Sequence, residues 1–146
     1  SGNELSNQAT EYLRDVLNSE NCKLTDLNLN GNYYIGTEYL SEALKSGQCK
    51  LSKLSLGGNK LKDDAVEYLS DALRSENCKL TELCLNENEL TDKCGQYLSE
   101  ALNTGNCQLT VLDVYGNRLT GDGINCLNDA LKSATLKRNK LDISLN

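Results

Sequence analysis

Seven cysteines and no histidine limit the chemistry open to this 146-residue chain. Without imidazole, the commonest general base and metal ligand is missing, so thiol and carboxylate chemistry remain to be tested. Cys22, Cys49, Cys78 and Cys107 recur once every 27 to 29 residues. A zinc site needs four ligands converging tetrahedrally, usually through close pairs such as C-x-x-C, and the sequence has no such pair. Strands stacked about 4.8 Å apart would not forbid a disulfide, but side chains in one column point the same way rather than at each other. These thiols are therefore expected to be reduced and buried, behaving as small hydrophobes. Cys126 replaces a recurrent tyrosine and is expected in the core as well. Cys84 differs, because it lies between Leu83 and Leu85 and must point away from their side. It is expected to be the accessible thiol, but its expected neighbours Glu82, Asn86, Asp113 and Ser55 include no base or cation to activate it.

The carboxylates give no better case for catalysis. Asp63 and Asp64 stand at a helix start, where the dipole favours them. The stretch from Asp113 to Gly123 is superficially like a calcium loop but lacks oxygen ligands at alternating positions and a terminal Glu. No metal, cofactor or catalytic residue is expected.

What positions these groups is a repeat. CKLTDLNLNGN from Cys22, CKLSKLSLGGN from Cys49, CKLTELCLNEN from Cys78 and CQLTVLDVYGN from Cys107 lie in register. LKRNKLDISLN from Leu136 is read as a fifth copy at the same 29-residue spacing, which sets Leu141 on Leu112, Ile143 on Val114 and Asn146 on Asn117. Asn32, Asn59, Asn88 and Asn117 form a column, with Asn3 and Asn146 at the ends of the chain. A period of this size means stacked units, none able to bury its apolar face alone. The expected units are 22–48, 49–77, 78–106 and 107–135, with partial units 1–21 and 136–146, all in one domain.

Between the copies, apolar residues recur at i, i+3 and i+4, as in Val66, Leu69, Ala72 and Leu73, which is a helical stripe. Within the copies leucines alternate with polar residues, which is a strand with one buried face. Since a helix separates each strand from the next equivalent one, the strands should run parallel and the helices should form an outer layer. The expected fold is an α/β solenoid with strands on the concave face and helices on the convex face. The tyrosines at 12, 39, 68 and 97 are read as architecture at the outer edge of the core. The second unit is two residues short; there Tyr34 is expected to point inward and Tyr33 outward.

The pattern C-x-L-T-x-L-x-L-x-x-N-x-L, followed by a helix carrying E-Y-L-S-x-A-L, resembles leucine-rich repeats of the ribonuclease-inhibitor type, which also form the C-terminal arrays of NOD-like receptors. The resemblance implies a right-handed β-α horseshoe segment. It also implies that the Asn column bonds turn backbone, and that residues between the strand leucines meet partners.

Net charge is −6 with no basic stripe, which disfavours nucleic acid and anionic membrane surfaces. No apolar run reaches the roughly 20 residues that span a bilayer. Odd cysteine count and the lack of any Asn-x-Ser/Thr site favour a cytoplasmic setting. The chain starts with a helix lacking its strand and stops with a strand lacking its helix, so it reads as part of a longer array or a very economical one. Uncapped ends would permit weak homo-association, with Arg138 blunting one edge.

The expected function is a non-enzymatic protein-interaction module. The repeat class suggests the ligand-sensing or autoinhibitory repeats of a NOD-like receptor-type protein of innate immunity. The alternative is a regulator of another enzyme, such as an inhibitor or a GTPase-activating protein. A protein partner is expected on the concave face toward the C-terminal half, at Glu82, Cys84, Asn86, Val111, Asp113, Tyr115 and Asp142, with Tyr115 as an aromatic anchor.

Overall fold

The computed structural model describes residues 6–135 and 142–145, apart from the side chains of 134, 135 and 142. The expectations for Asn3, Leu136, Arg138 and Asn146 lie outside the described residues. Helices and strands alternate along the chain: α1 (Asn7–Leu17), β1 (Asp26–Asn28), α2 (Thr37–Lys45), β2 (Lys53–Ser55), α3 (Asp63–Leu73), β3 (Glu82–Cys84), α4 (Asp92–Leu102), β4 (Val111–Asp113), α5 (Gly121–Thr135) and β5 (Asp142–Ser144). The strands form one parallel sheet in sequence order, each paired with its neighbours in the chain.

Leu54, Leu83 and Leu112 sit in register and are fully buried, while the residues on either side of each face outward. Full burial of one such leucine stabilises by about 1.5–3 kcal/mol, so the column is a main tie between repeats. Across the core, the helices contribute Leu40, Leu69 and Leu98, also buried. The first unit is open on its outer side. Leu24 is 40% exposed, whereas its equivalent Leu51 is 1% exposed.

The Asn column is a hydrogen-bonded ladder. Asn88 Oδ1 accepts from Asn59 N at 2.9 Å and Leu61 N at 3.0 Å, and Asn117 Oδ1 accepts from Asn88 N and Leu90 N, each at 3.1 Å. Their Nδ2 groups donate to carbonyls of their own turn and of the preceding repeat, as from Asn88 to Leu85 O and Leu56 O. Asn59 Oδ1 likewise accepts from Asn32 N. Asn59, Asn88 and Asn117 therefore satisfy turn amides that no strand pairing reaches.

Three expectations are corrected. In the fifth copy Leu112 pairs with Ile143, not Leu141, which is an offset of 31 residues rather than 29. Helix α5 has 15 residues against 11 in α3 and α4, and this extra length carries the strand two residues along. A two-residue shift leaves alternation intact, so positions 142 and 144 stay in the concave register, and Leu145 packs against the core. In the shortened second unit Tyr34 is 59% exposed, and Ile35 fills the inward slot. With two residues fewer, the chain reaches the core one position later. Cys126 is half-buried rather than fully in the core.

Candidate functional site

The outward residues of the strands build the concave surface in two columns. One runs Asp26, Lys53, Glu82, Val111 and Asp142, and the other runs Asn28, Ser55, Cys84, Asp113 and Ser144. Three-residue strands hold them rigidly, because the alternate residue of each strand is locked in the core. The register therefore brings Glu82 beside Val111 and Cys84 beside Asp113, as the repeat spacing implied. Asp142 continues the first column through its backbone pairing; its side chain lies outside the described residues.

Lys53 Nζ lies 3.6 Å from Glu82 Oε1, a half-exposed pair of small energetic weight. A depression of about 260 Å³ opens over the first three rows, lined by Asp26, Asn28, Lys53, Ser55, Glu82 and Cys84 among others. It takes in two of the expected site residues, Glu82 and Cys84. Asn86, Val111, Asp113 and Tyr115 lie beyond it. Gly57 shapes the boundary: a Cβ there would stand 2.6 Å from Asn86 Oδ1, so a larger residue would make the Asn86 side chain swing away.

Burial pushes the Cys84 thiol up, and the charges of Asp113 and Glu82 push it further, against a hydrogen bond with Ser55. A thiol held protonated in a negative field is a poor nucleophile. It is also not alone in its accessibility, since Cys22 and Cys126 are half-buried too. Cys78 and Cys94 are fully buried, and desolvation raises them to about 11 and about 12.

Tyr115 is 57% exposed at the end of the fourth strand row. Its amide donates to Asp113 Oδ1 at 2.9 Å, which fixes that carboxylate, and its carbonyl accepts from Glu87 N at 2.8 Å. Glu87 was missed by the sequence reading. It occupies the turn position held by Gly31, Gly58 and Gly116 in the other units, and like them it has positive φ, here 55°. The signal was available: a glutamate stands in the one N-E-N where the others read G-N.

A further set of contacts tied to the helix starts also escaped the sequence reading. Asp63 Oδ1 accepts from Thr91 N at 2.9 Å and Asp63 Oδ2 from Thr91 Oγ1 at 2.5 Å. Asp92 repeats this with Thr120 N at 2.6 Å and Thr120 Oγ1, and adds Gly123 N at 3.1 Å. These aspartates favour the helix dipole as expected and also clasp the next repeat. The Thr120 hydroxyl, then backbone amides, hold the Asp92 carboxyl below the usual range. Among the described residues no cluster of cysteines and carboxylates could hold a metal, and no helix is long and apolar enough to cross a membrane.

This geometry, parallel strands inside and helices outside with an asparagine ladder at the turns, defines a leucine-rich repeat solenoid. A leucine-rich repeat model matches residues 20–38, 47–70 and 76–99, and a second matches residues 108–130; the chain is an array of these repeats. No curated protein matches it in sequence. Among solved structures, the tropomodulin C-terminal domain of Caenorhabditis elegans is similar with a TM-score of 0.72 at 16% identity, over 94% of this chain and 82% of that one. Leiomodin-1 Actin-Binding Site 2 is similar with a TM-score of 0.75 at 16% identity, over 97% of this chain and 80% of that one. An internalin of Listeria monocytogenes gives a TM-score of 0.50 at 19% identity, over 97% of this chain but 38% of that one. At such identities the likeness is one of fold.

Proposed function

We propose that this array is a non-enzymatic protein-binding module that takes its partner on the concave face, centred on the rows of Glu82, Cys84 and Asn86 and of Val111, Asp113 and Tyr115. The observation that carries this reading is Tyr115, a large side chain left 57% exposed in the turn that follows β4 and tied through its amide to half-buried Asp113. Aromatic side chains so placed anchor interfaces at low entropic cost. Leiomodin-1 carries an actin-binding site on a domain of the same fold, which supports an array of this size as sufficient to bind a protein. The finer setting we propose is a cytoplasmic one, as a single sensing or autoinhibitory domain of a NOD-like receptor-type protein; it rests on the likeness of the repeat pattern and on the seven free cysteines.

Site-directed photocrosslinking tests the surface. A crosslinker at Val111 on the concave face is expected to trap a discrete partner in cells, and one at Tyr68 on the helical face is not. Adducts from Tyr68 alone would place binding on the helices and refute the proposal. An upstream nucleotide-binding domain in the full-length transcript would support the receptor setting, and a free-standing array would count against it.

A further inference from the structure

The concave face carries an uneven charge balance. At the described strand positions Asp26, Glu82 and Asp113 stand against the single cation Lys53, which is itself 3.6 Å from Glu82, and Glu87 adds an acid in the turn against Gly116. Among the described residues, Asp113 and Glu87 have no ion-pair partner. Both are tied to the Tyr115 backbone, Asp113 through the Tyr115 amide and Glu87 through the Tyr115 carbonyl. Asp113 is fixed by the bond from Tyr115 N to Oδ1, which leaves Oδ2 open to a donor. The Glu87 backbone is tied by its amide bond to Tyr115 O, and its side chain passes over Gly116, where a Cβ would stand 3.0 Å from Glu87 Cγ. An exposed aromatic ring with carboxylates anchored to its own backbone attracts a cation both by the ring quadrupole and by charge-assisted hydrogen bonds. A guanidinium suits this arrangement best, because it can stack on the ring while its fork of donors reaches the acids.

Resting on the concave-face reading, we propose that the partner presents a basic, extended protein segment, with one arginine seated over Tyr115 between Asp113 and Glu87. The next cation along the segment lies toward Glu82 and Asp26, following the columns of the sheet. Charge complementarity selects this occupant: an acidic segment would meet the same carboxylates unpaired, and like charges brought together across an interface oppose binding.

The probe is a capped peptide alternating arginine and serine, titrated into the whole chain and followed by amide NMR shifts, with glutamine-for-arginine and glutamate-for-arginine peptides as controls. Shifts are expected to concentrate at Glu87 and from Asp113 to Gly116, for the arginine peptide only. Tyr115→Ser is expected to weaken binding about two- to fivefold, the weight of a cation over an exposed ring. Glu87→Gln is expected to weaken it and to flatten its salt dependence. Both side chains are exposed, so both variants should fold. Shifts spread over the helical-face acids Glu67 and Asp71, or an affinity unchanged in both variants, would overturn the inference. Crosslinks from Val111 that persist although the arginine peptide leaves Glu87 and Tyr115 unmoved would sink this inference alone and leave the concave-face reading standing.

Discussion

Replacing Asn88 by alanine is the sharpest probe of what holds the repeats together. Asn88 is 7% exposed and makes contacts in both directions: its Oδ1 accepts from two amides of the preceding repeat, and its Nδ2 donates to Leu56 O, Leu85 O and, at 3.3 Å, Asn86 O. Alanine would leave the buried amides of Asn59 and Leu61 without acceptors. At about 1–3 kcal/mol for each buried group left unpaired, the loss is about 2–6 kcal/mol, and partial entry of water at the turn brings it toward about 3 kcal/mol. With a urea slope of about 2 kcal/mol per molar, the unfolding midpoint falls by about 1.5 M. Asn32→Ala should cost less, because Asn32 is half-buried and, among the contacts described, only donates, to Leu29 O and Asn30 O. Asn103, exposed at the end of α4, is the control, with an expected change within about 0.5 kcal/mol. Equal midpoint shifts in the Asn88 and Asn103 variants would refute the ladder as the source of stability.

Glu87→Gly should raise the urea midpoint relative to Glu87→Ala by the equivalent of about 1 kcal/mol, since only glycine adopts its positive φ without strain. In alkylation followed by mass spectrometry at neutral pH, Cys22, Cys84 and Cys126 should be modified before Cys78 and Cys94, whose thiols burial raises to about 11 and about 12. The lowered Asp92 carboxyl gives stability that is fully present above the unfolded aspartate pKa, about 3.9, and is lost as pH falls through the lower folded value. Urea midpoints measured from neutral pH down into that range should fall more steeply for the wild type than for Asp92→Asn, and parallel curves would contradict the Thr120 clasp.

Where the sequence spoke clearly, it did so because one physical constraint repeats. The strand leucines must face the core in every unit, so alternation fixed which residues look outward, and Glu82, Cys84, Val111 and Asp113 could be placed before any coordinates. The same period-two rule hid the register of β5, because a slip of two residues satisfies it equally well: Ile143 is inward under either alignment, and only the length of α5 decides between them. The exchange of Tyr34 for Ile35 was illegible for a related reason. Two residues are missing from that turn, and a count along the chain cannot say where the deletion is absorbed. The Asp63–Thr91 and Asp92–Thr120 clasps were invisible to local reasoning, since a carboxylate at a helix start already has a sufficient explanation in the dipole. Their partner lies a whole repeat away.

The division of labour among residues follows from these contacts. Leucines, the asparagine ladder and the aspartate clasps all join one repeat to the next, and none uses the outward strand positions. Those positions are therefore free to change chemistry without loss of the fold, with local side-chain adjustments such as that of Asn86 over Gly57. Tyr115, Asp113 and Glu82 carry little of the stability, and Glu87 lowers it by holding a strained backbone. A residue held at a cost to the fold, tied to the backbone of an exposed tyrosine that also binds Asp113, fits the proposed role in binding better than a role in support. The outward strand positions are thus the ones left free to vary, and the proposed basic partner accounts for their surplus of carboxylates.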